Sequence, residues 1–424
     1  MYKRRVIGKS AWILGAAGLA IGVIASLLVK AGNPGNMGLC IACFLRDIEG
    51  FFAGSITGQG AVAYIRPEII GIVLGALGAA LFAREFKPRG GSQAPIRFIL
   101  GIIFMLGALM FLGCTVRAWL RLGGGDLSAL WGIAGIFTGV LIGIVFLKKG
   151  FNLGRADNYT SKGKKVLGWI VPLCAVILLA FAGAAAGGYI PGFATQTKAN
   201  ALATGDKPPV VFLKDKTSGS MTVLKPEGAQ VTADGSVVDA EGKTAASADS
   251  VENAKPQPGG KRALLIVSLL GGLAIGVIAQ RSRFCSIGGI RDMFLVRRFD
   301  LLFGVLGLVI GAAVVNIALG QFNLGFTGQP IAHNDALGSF ASMTLATLAA
   351  MFLGGCPFRQ VIMGSEGDTD AGVAVAGMLV GAAIAHGFSL ASSGAGLAPL
   401  AWPAMAVMAV ILLAIGLLFS RKSA

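Results

Sequence analysis

One short pattern of chemically active residues occurs twice, near opposite ends of the chain. Each copy is a cysteine, an arginine and an aspartate in the spacing C-x2-R-x8-D, namely Cys114, Arg117 and Asp126, and then Cys356, Arg359 and Asp368. The same offset of 242 residues separates every pair of equivalent positions. Charged residues inside an apolar chain are costly, so their duplication at one spacing indicates a functional site.

A second duplicated pattern precedes each of these copies. It has the spacing C-x5-R-D and comprises Cys40, Arg46 and Asp47, and then Cys285, Arg291 and Asp292. The offset here is 245 residues, close to that of the first pattern. We therefore predict an internal duplication in which each half carries two cysteine motifs.

The residues around the repeated cysteines predict that each thiol lies at the start of a short helix. Gly113 precedes Cys114, and Cys356 stands between Gly355 and Pro357. A helix N-terminus presents unpaired backbone N–H groups that attract anions and favour a thiolate. A guanidinium group adds a fixed cation with planar donors that suit an oxyanion.

Together the motifs predict a path lined by sulfur, N–H donors and guanidinium groups. A small, soft anion that contains sulfur or selenium fits such a path. Because an isolated buried charge is costly, Asp126 and Asp368 are expected to orient or neutralise Arg117 and Arg359. The Arg-Asp pairs of the second pattern have two open interpretations: they line the path, or they only anchor the short helices.

The remaining cysteines and both histidines are interpreted as ordinary structural residues. A lone cysteine in a membrane protein is typically a small buried apolar residue, and this is expected of Cys174. Cys43 has no counterpart in the second half, where Gly288 stands, so we expect it to pack as well. His333 is expected in a polar loop and His386 at the end of a span.

The composition predicts a membrane protein. The 424 residues are 55% hydrophobic and 13% charged, and several apolar runs have the roughly 20-residue length that crosses a bilayer. The net charge of +16 does not indicate nucleic-acid binding, because the basic residues cluster between apolar runs as in cytoplasmic loops. Six cysteines and two histidines show no zinc spacing, so no metal or other cofactor is expected.

The expected fold is all-α and polytopic, with about ten transmembrane helices in two inverted five-span repeats. The expected spans are 11–29, 67–83, 96–113, 127–147, 166–187, 264–279, 301–319, 339–353, 371–387 and 400–419. Re-entrant or short half-helices carry the four cysteine motifs, because irregular backbone at membrane depth must line a cavity or be buried in protein. Glycines four residues apart, such as Gly272 and Gly276, are expected to bring helix backbones close together.

Three regions follow from this division: a first repeat at 1–188, a soluble insertion at 189–260 and a second repeat at 261–424. The insertion is rich in polar residues, and it carries a predicted hairpin near Val211 and Met221 but no catalytic constellation. If Met1 lies on the cytoplasmic side, the cytoplasmic segments contain 22 basic residues and the short external segments contain five. Both termini are thus predicted to be cytoplasmic and the insertion extracytoplasmic. An odd number of spans per repeat inverts the second half, as in many transporters.

The motifs around Cys40, Cys114, Cys285 and Cys356 resemble those of the YeeE/YedE family of sulfur-transport membrane proteins. The likeness covers both halves and is greatest to the YedE-type branch, which is linked to selenium transport. It implies that an anion passes between Cys114, Cys285 and Cys356, with Cys40 as a further contact, through S–H···S interactions. It also implies a small cytosolic sulfur-carrier protein of the TusA type as a partner. The insertion departs from the compact thiosulfate importers of the family, which argues against thiosulfate.

We therefore expect a transporter rather than an enzyme, located in the bacterial inner membrane. It would move a small selenium- or sulfur-containing anion into the cytoplasm, with the lipid bilayer as its surroundings and no nucleic-acid partner. A thiosulfate importer is the alternative within this class, and the sequence does not separate a carrier from an anion channel. From another class, a membrane thiol oxidoreductase could use Cys40 and Cys43 together with a quinone or haem.

Overall fold

The computed structural model describes residues 10–57, 64–186 and 262–420, with short strands between residues 211 and 253. Within these ranges the chain is mainly helical. In the first half the helices are α1 (Ser10–Lys30), α2 (Ile41–Thr57), α3 (Pro67–Phe82), α4 (Ala94–Phe111), α5 (Thr115–Gly123), α6 (Ala129–Lys148), α7 (Lys162–Leu167) and α8 (Ile170–Ala186). In the second half they are α9 (Leu265–Ser282), α10 (Ser286–Leu295), α11 (Asp300–Ala318), α12 (Ala336–Leu353), α13 (Pro357–Ser365), α14 (Thr369–Gly387) and α15 (Ala401–Leu418).

The protein is a multi-pass membrane protein. Eight helical segments of the described chain are long and apolar enough to cross a bilayer. Two of the ten expected spans, 67–83 and 166–187, contain apolar helices that are shorter than this length, α3 and α8.

Two expected helices differ from their prediction. The span expected at 166–187 is broken at Gly168, which lies between the end of α7 and the start of α8. A Cβ at Gly168 would press against the ring of Pro88, so this close approach requires glycine. The segment after Cys40 forms 17-residue α2, which is longer than the short half-helix expected there.

Eight short strands accompany the helices among the residues that the structure describes. Strand β1 (Arg89–Gly90) pairs antiparallel with β2 (Asp157–Asn158). The others form two three-stranded sheets: β3 (Val211–Asp215), β4 (Met221–Leu224) and β8 (Val251–Asn253) in the order β4-β3-β8, and β5 (Gln230–Val231), β6 (Val237–Val238) and β7 (Thr244–Ala246) in the order β5-β6-β7. The antiparallel pairing of Val211 with Leu224 confirms the predicted hairpin. The expected boundaries at 189 and 260 lie outside the described residues.

The main helix contacts join the two halves of the chain in matching pairs. Helix α1 packs on α11 and α3 packs on α9, while α4 packs on α14 and α6 packs on α12. Glycines make these contacts close: a Cβ at Gly18 would overlap the carbonyl of Gly304, and one at Gly272 would overlap that of Glu68. The predicted role of the glycines spaced by four residues is confirmed.

Connecting segments gather at two ends of the helix bundle. At one end, here called the Glu366 end, Lys87 N–H donates to Glu366 O at 2.9 Å and Tyr159 N–H donates to Pro88 O at 3.0 Å. Segments 84–97, 148–165, 281–298 and 356–370 meet there, as the sequence predicted for one side of the membrane.

At the other end, here called the Asn323 end, Leu127 N–H donates to Gly325 O at 2.9 Å and Asn323 N–H donates to Gly124 O at 2.9 Å. Ala263 N–H donates to Asn33 Oδ1 at 3.0 Å and joins the start of the second half to the same end.

Candidate functional site

Each repeated cysteine immediately precedes a helix. Cys114, Cys285 and Cys356 are the N-terminal caps of α5, α10 and α13, and Cys40 precedes α2. Gly354 turns the chain into the last of these motifs with a positive φ of 89°, a conformation that favours glycine. The predicted position of the thiols at helix starts is confirmed.

Three thiols from the first half lie together in the interior. Cys40 Sγ accepts a hydrogen bond from the backbone N–H of Cys43 at 3.3 Å. The Cys40 thiol also lies close to the thiols of Cys43 and Cys114. All three residues are buried. This three-thiol cluster places soft sulfur atoms beside the free N–H groups of the α2 and α5 N-termini.

Two thiols from the second half form an equivalent cluster. Cys285 Sγ accepts hydrogen bonds from Gly288 N–H at 3.3 Å and from Cys356 N–H at 3.4 Å. The Cys285 and Cys356 side chains also lie close to each other, and both residues are buried. Two backbone donors on one sulfur stabilise negative charge there, whether on a thiolate or on a bound anion.

A hydroxyl pair joins the two clusters. Thr115 Oγ1 and Ser286 Oγ lie 2.9 Å apart and are both buried. They are the first residues of α5 and α10, so the N-termini of two helices from opposite halves meet here. These hydroxyls were not predicted from the sequence, although each directly follows a motif cysteine.

Arg117 is a buried cation beside the three-thiol cluster. Its guanidinium donates to Asn36 O at 2.8 Å, to Ile331 O at 3.0 Å and to Leu112 O. Its fourth contact is Cys43 Sγ at 3.4 Å. Within the described chain, no carboxylate pairs with this side chain. The positive charge is held in place by neutral carbonyl groups, and it remains available to attract an anion.

Asp126 does not neutralise Arg117, as the sequence had predicted, but pairs with Arg121 at 2.6 Å. The physical reason is position along α5. Asp126 follows the C-terminal end of the helix, close to Arg121, whereas Arg117 lies one turn nearer the N-terminus. Asp126 also accepts a hydrogen bond from Ser128 Oγ at 2.6 Å, so its charge is fully engaged.

The prediction for Asp368 is wrong in the same way. Asp368 pairs with Arg89 at 2.8 Å and caps α14 by accepting from Ala371 N–H at 3.1 Å. Arg359 pairs instead with Glu366 at 3.3 Å. Glu366 also pairs with Arg283 at 2.8 Å, so the Arg359 charge, unlike that of Arg117, is offset by a carboxylate.

The two Arg-Asp pairs lie in different surroundings. Asp47 is fully buried and pairs with Arg46 at 2.6 Å and with Arg66 at 2.5 Å. Arg291 and Asp292 pair with each other at 2.8 Å, and both side chains are partly exposed. In the described chain these carboxylate–guanidinium pairs link the charges to each other, and none of them is hydrogen-bonded to a motif sulfur.

The residues interpreted as structural are also placed. Cys174 lies on an exposed face of α8, so its expected burial is wrong, and its position makes it a natural control. His333 is buried rather than exposed in its loop, with Nε2 2.8 Å from Met110 O and Nδ1 accepting from Asp335 N–H at 3.3 Å. His386 lies near the end of α14, as expected.

No group of three or more potential metal ligands occurs among the residues that the structure describes. No protein-family model matches the chain, and a search of curated proteins returned no match.

Proposed function

We propose that this protein is an inner-membrane transporter that moves a small selenium- or sulfur-containing anion into a bacterial cytoplasm. The observation that carries the proposal is the junction of the two thiol clusters through Thr115 and Ser286. Helix N-termini with sulfur at their caps form a continuous buried arrangement from one half of the chain to the other. Anions are favoured at such N-termini, and sulfur offers a polarizable contact.

The differing environments of Arg117 and Arg359 support passage in one order. A buried guanidinium with no carboxylate partner attracts an anion to the three-thiol cluster. Beyond Thr115 and Ser286, the anion meets Cys285 and its two backbone donors. Arg359 already shares Glu366, so it holds the anion less strongly and favours release towards the Glu366 end.

The inverted-repeat architecture belongs to the same proposal. The α1–α11 contact is equivalent to the α9–α3 contact. In the same way, the α4–α14 contact is equivalent to the α12–α6 contact. Interrupted helices that meet at a repeat interface are the usual substrate site of such transporters. With the excess of basic residues at the Glu366 end, this end and both termini face the cytoplasm, and the insertion lies outside.

Uptake into proteoliposomes tests the proposal. Purified protein is reconstituted, and the uptake of labelled selenite, selenide and thiosulfate is measured. We expect a selenium species to enter faster than thiosulfate. Liposomes that contain the Cys285→Ala variant should take up no more of it than empty liposomes do. Faster uptake of thiosulfate would instead identify a thiosulfate importer, and no uptake of any of the three would refute transport of this class.

The resemblance to the YeeE/YedE family leads us to propose a TusA-type sulfur-carrier protein as a partner at the cytoplasmic face. Such a carrier would receive the anion, without a change of its oxidation state, as the anion is released towards the Glu366 end. A tagged carrier should co-purify with the membrane protein, and an excess of untagged carrier should displace it. Both results together would support this partner.

One observation favours a second candidate, a membrane thiol oxidoreductase. The Cys40 thiol lies close to those of Cys43 and Cys114, and a disulfide-forming centre requires such proximity. Joining Cys40 and Cys43 would release two electrons and two protons, which a membrane quinone would have to accept. Loss of two free thiols per protein upon addition of a quinone analogue would favour this candidate over the transporter.

A further inference from the structure

Helices α5 and α13 end with the same backbone conformation but with different side chains. Gly124 follows α5 with φ −87° and ψ −2°, and Glu366 follows α13 with φ −82° and ψ 2°. The next residue is in each case a glycine with a positive φ, 90° at Gly125 and 94° at Gly367. The two helix ends are 242 residues apart, which is also the offset of the motif cysteines that precede them. Glu366 therefore stands where the first half of the chain has a glycine.

The same pair of backbone hydrogen bonds holds both helix ends. At each end, two alternate residues of a segment from the other half of the chain donate to two consecutive carbonyl groups. The donors are Asn323 and Gly325 to Gly124 and Gly125, at 2.9 and 3.1 Å, and Lys87 and Arg89 to Glu366 and Gly367, at 2.9 and 3.0 Å. The two ends are thus equivalent in three dimensions as well as in the sequence, and the Glu366 carboxylate distinguishes them.

The arginines of the two helices are equivalent as well. A Cβ at Gly113 would lie 2.9 Å from Arg117 Cδ, and a Cβ at Gly355 would lie 3.2 Å from Arg359 Cγ. Each arginine stem therefore crosses the glycine that precedes the motif cysteine. The Cβ at Gly355 would also lie 3.9 Å from Cys285 Sγ. Arg359 is thus beside the two-thiol cluster, as Arg117 is beside the three-thiol cluster.

Arg359 makes a contact that Arg117 lacks. Its Nη1 and Nη2 donate to the two carboxylate oxygens of Glu366 at 3.3 and 3.5 Å. This is the two-pronged arrangement in which a guanidinium group binds an oxyanion. The Glu366 side chain is only 2% exposed, so the carboxylate lies inside the protein. In the described chain Arg117 has carbonyl and thiol partners instead, and Gly124 leaves the place of the carboxylate free.

We infer that Arg359 and the two-thiol cluster form a second anion-binding site, equivalent to that at Arg117, and that Glu366 occupies it as a tethered competitor. A small oxyanion of sulfur or selenium binds there only when the carboxylate has left, because two negative charges on one guanidinium group repel each other. The identity of the anion rests on the proposed function. The site itself can be measured without transport.

Glu366 has a second cation to hold it when it leaves Arg359. Its Oε1 also accepts from Arg283 Nη1 at 2.8 Å, a shorter distance than either contact with Arg359. The Arg283 side chain is 45% exposed and also pairs with Glu85 at 2.8 Å. The carboxylate can therefore move towards Arg283 and back without becoming an unpaired buried charge. Its return to Arg359 displaces the anion, which favours release towards the Glu366 end.

Calorimetric titration of the full-length protein in nanodiscs, with thiosulfate and separately with selenite, counts the sites. We expect one site per chain in the native protein and two in Glu366→Gln, with affinities within about tenfold of each other. Glutamine keeps the shape of the side chain and removes its charge, which leaves Arg359 without a carboxylate in the described chain. The other two arginines near Glu366 keep carboxylate partners of their own: Arg283 pairs with Glu85, and Arg89 pairs with Asp368. One site per chain in folded Glu366→Gln would overturn the inference.

Restored binding is the sharper result, because a misfolded variant cannot gain a site. Arg117→Met should bind the anion at least about tenfold more weakly than the native protein. Adding Glu366→Gln should restore one site per chain, and adding Arg359→Met as a third change should remove it again. Should the glutamine variant not fold, Glu366→Gly replaces it, since the equivalent position of the first half carries glycine. A folded double variant without the restored site would contradict the inference.

Asp300→Asn is the matched control. It takes the carboxylate from Arg298, an arginine at the same end of the bundle whose side chain is 59% exposed. Solvent and salt screen such a charge, so this variant should bind one anion per chain, as the native protein does. A second site in Asp300→Asn as well would show that any freed arginine binds the anion, and it would refute the special role of Glu366.

Uptake measured in the same preparations separates the two proposals. Glu366→Gln should release the anion into liposomes about tenfold more slowly than the native protein, and an unchanged rate would refute the role of the carboxylate in release. Two sites in Glu366→Gln, without uptake by any preparation, would support the second site and refute the transporter. Uptake by the native protein, with one site in Glu366→Gln, would support the transporter and refute the second site.

Discussion

The hydroxyl oxygens of Thr115 and Ser286 lie 2.9 Å apart and connect the first turns of two helices from opposite halves of the chain. Each residue follows a motif cysteine, so this hydrogen bond links the helix starts that carry the two thiol clusters. Any movement that separates α5 from α10 must break it.

We predict that Thr115→Val and Ser286→Ala are energetically coupled. Each removes one partner of a buried hydrogen bond, so the double variant should lose less stability than the sum of the single variants, by about 1 kcal/mol. Unfolding of the detergent-solubilised protein would measure this. Thr138→Val is the control, because Thr138 bonds only to Ala134 O on its own exposed helix face. Additive effects of Thr115→Val and Ser286→Ala would show that the contact is not formed.

The repeated cysteines should matter more for transport than for folding. Cys→Ala removes one sulfur, and we expect a loss of about 1 kcal/mol in the free energy of unfolding, the ordinary size for a point variant. Uptake should fall strongly for Cys114→Ala, Cys285→Ala and Cys356→Ala, and remain unchanged for exposed Cys174→Ala. Cys→Ser keeps a donor but replaces a soft atom by a hard one. Normal uptake by both Cys285→Ser and Cys356→Ser would mean that the backbone N–H groups, and not the sulfur atoms, hold the anion.

Arg117 and Arg121 should respond differently to the same change. Arg121→Met leaves buried Asp126 without its cation and should cost about 3–5 kcal/mol of stability, which Asp126→Asn should partly restore. Arg117→Met leaves only neutral carbonyl groups, so we expect a smaller loss of about 1–3 kcal/mol. Anion affinity should nevertheless fall roughly 10- to 100-fold, because a charge-assisted contact is lost. Unchanged uptake kinetics in Arg117→Met would remove Arg117 from the path.

His333 should make stability depend on pH. Burial lowers the pKa of His333 from its ordinary value of 6.5. The hydrogen bond with Met110 opposes this shift, and the nearby Arg121 charge lowers the pKa further. The folded protein therefore resists protonation of this ring. Its contribution to stability is complete above about pH 6.5 and is lost as the pH falls towards the lowered pKa. Thermal unfolding between pH 7.5 and 5 should show this decrease in the native protein and a flatter profile in His333→Gln.

Reporter fusions test the orientation of the two ends. Reporters at Ser92 and Arg155, which belong to segments of the Glu366 end, should be cytoplasmic, and a reporter within residues 199–249 should be outside. The reason is the excess of basic residues in the segments of the Glu366 end. A cytoplasmic insertion would contradict both the orientation and the inverted repeat.

The helices and the positions of the motif cysteines were predictable from the sequence because their causes are local. Apolar runs of bilayer length, the glycine before Cys114 and the proline after Cys356 act within a few residues of where they stand. The hairpin of β3 and β4 was predictable for the same reason. The unbroken span expected at 166–187 was not correct, and the close approach of Gly168 to distant Pro88 is a tertiary contact that no local pattern shows.

The charge partners and the contact between the two thiol clusters were decided only by the tertiary structure. Asp368 pairs with Arg89, which is 279 residues away, rather than with nearby Arg359. Thr115 and Ser286 are 171 residues apart in the chain. A buried charge pairs with whichever opposite charge comes within about 4 Å of it, and packing between the two halves sets that distance. The sequence by itself determined which residues could do chemistry and on which helix ends they stand; the packing determined which of them meet.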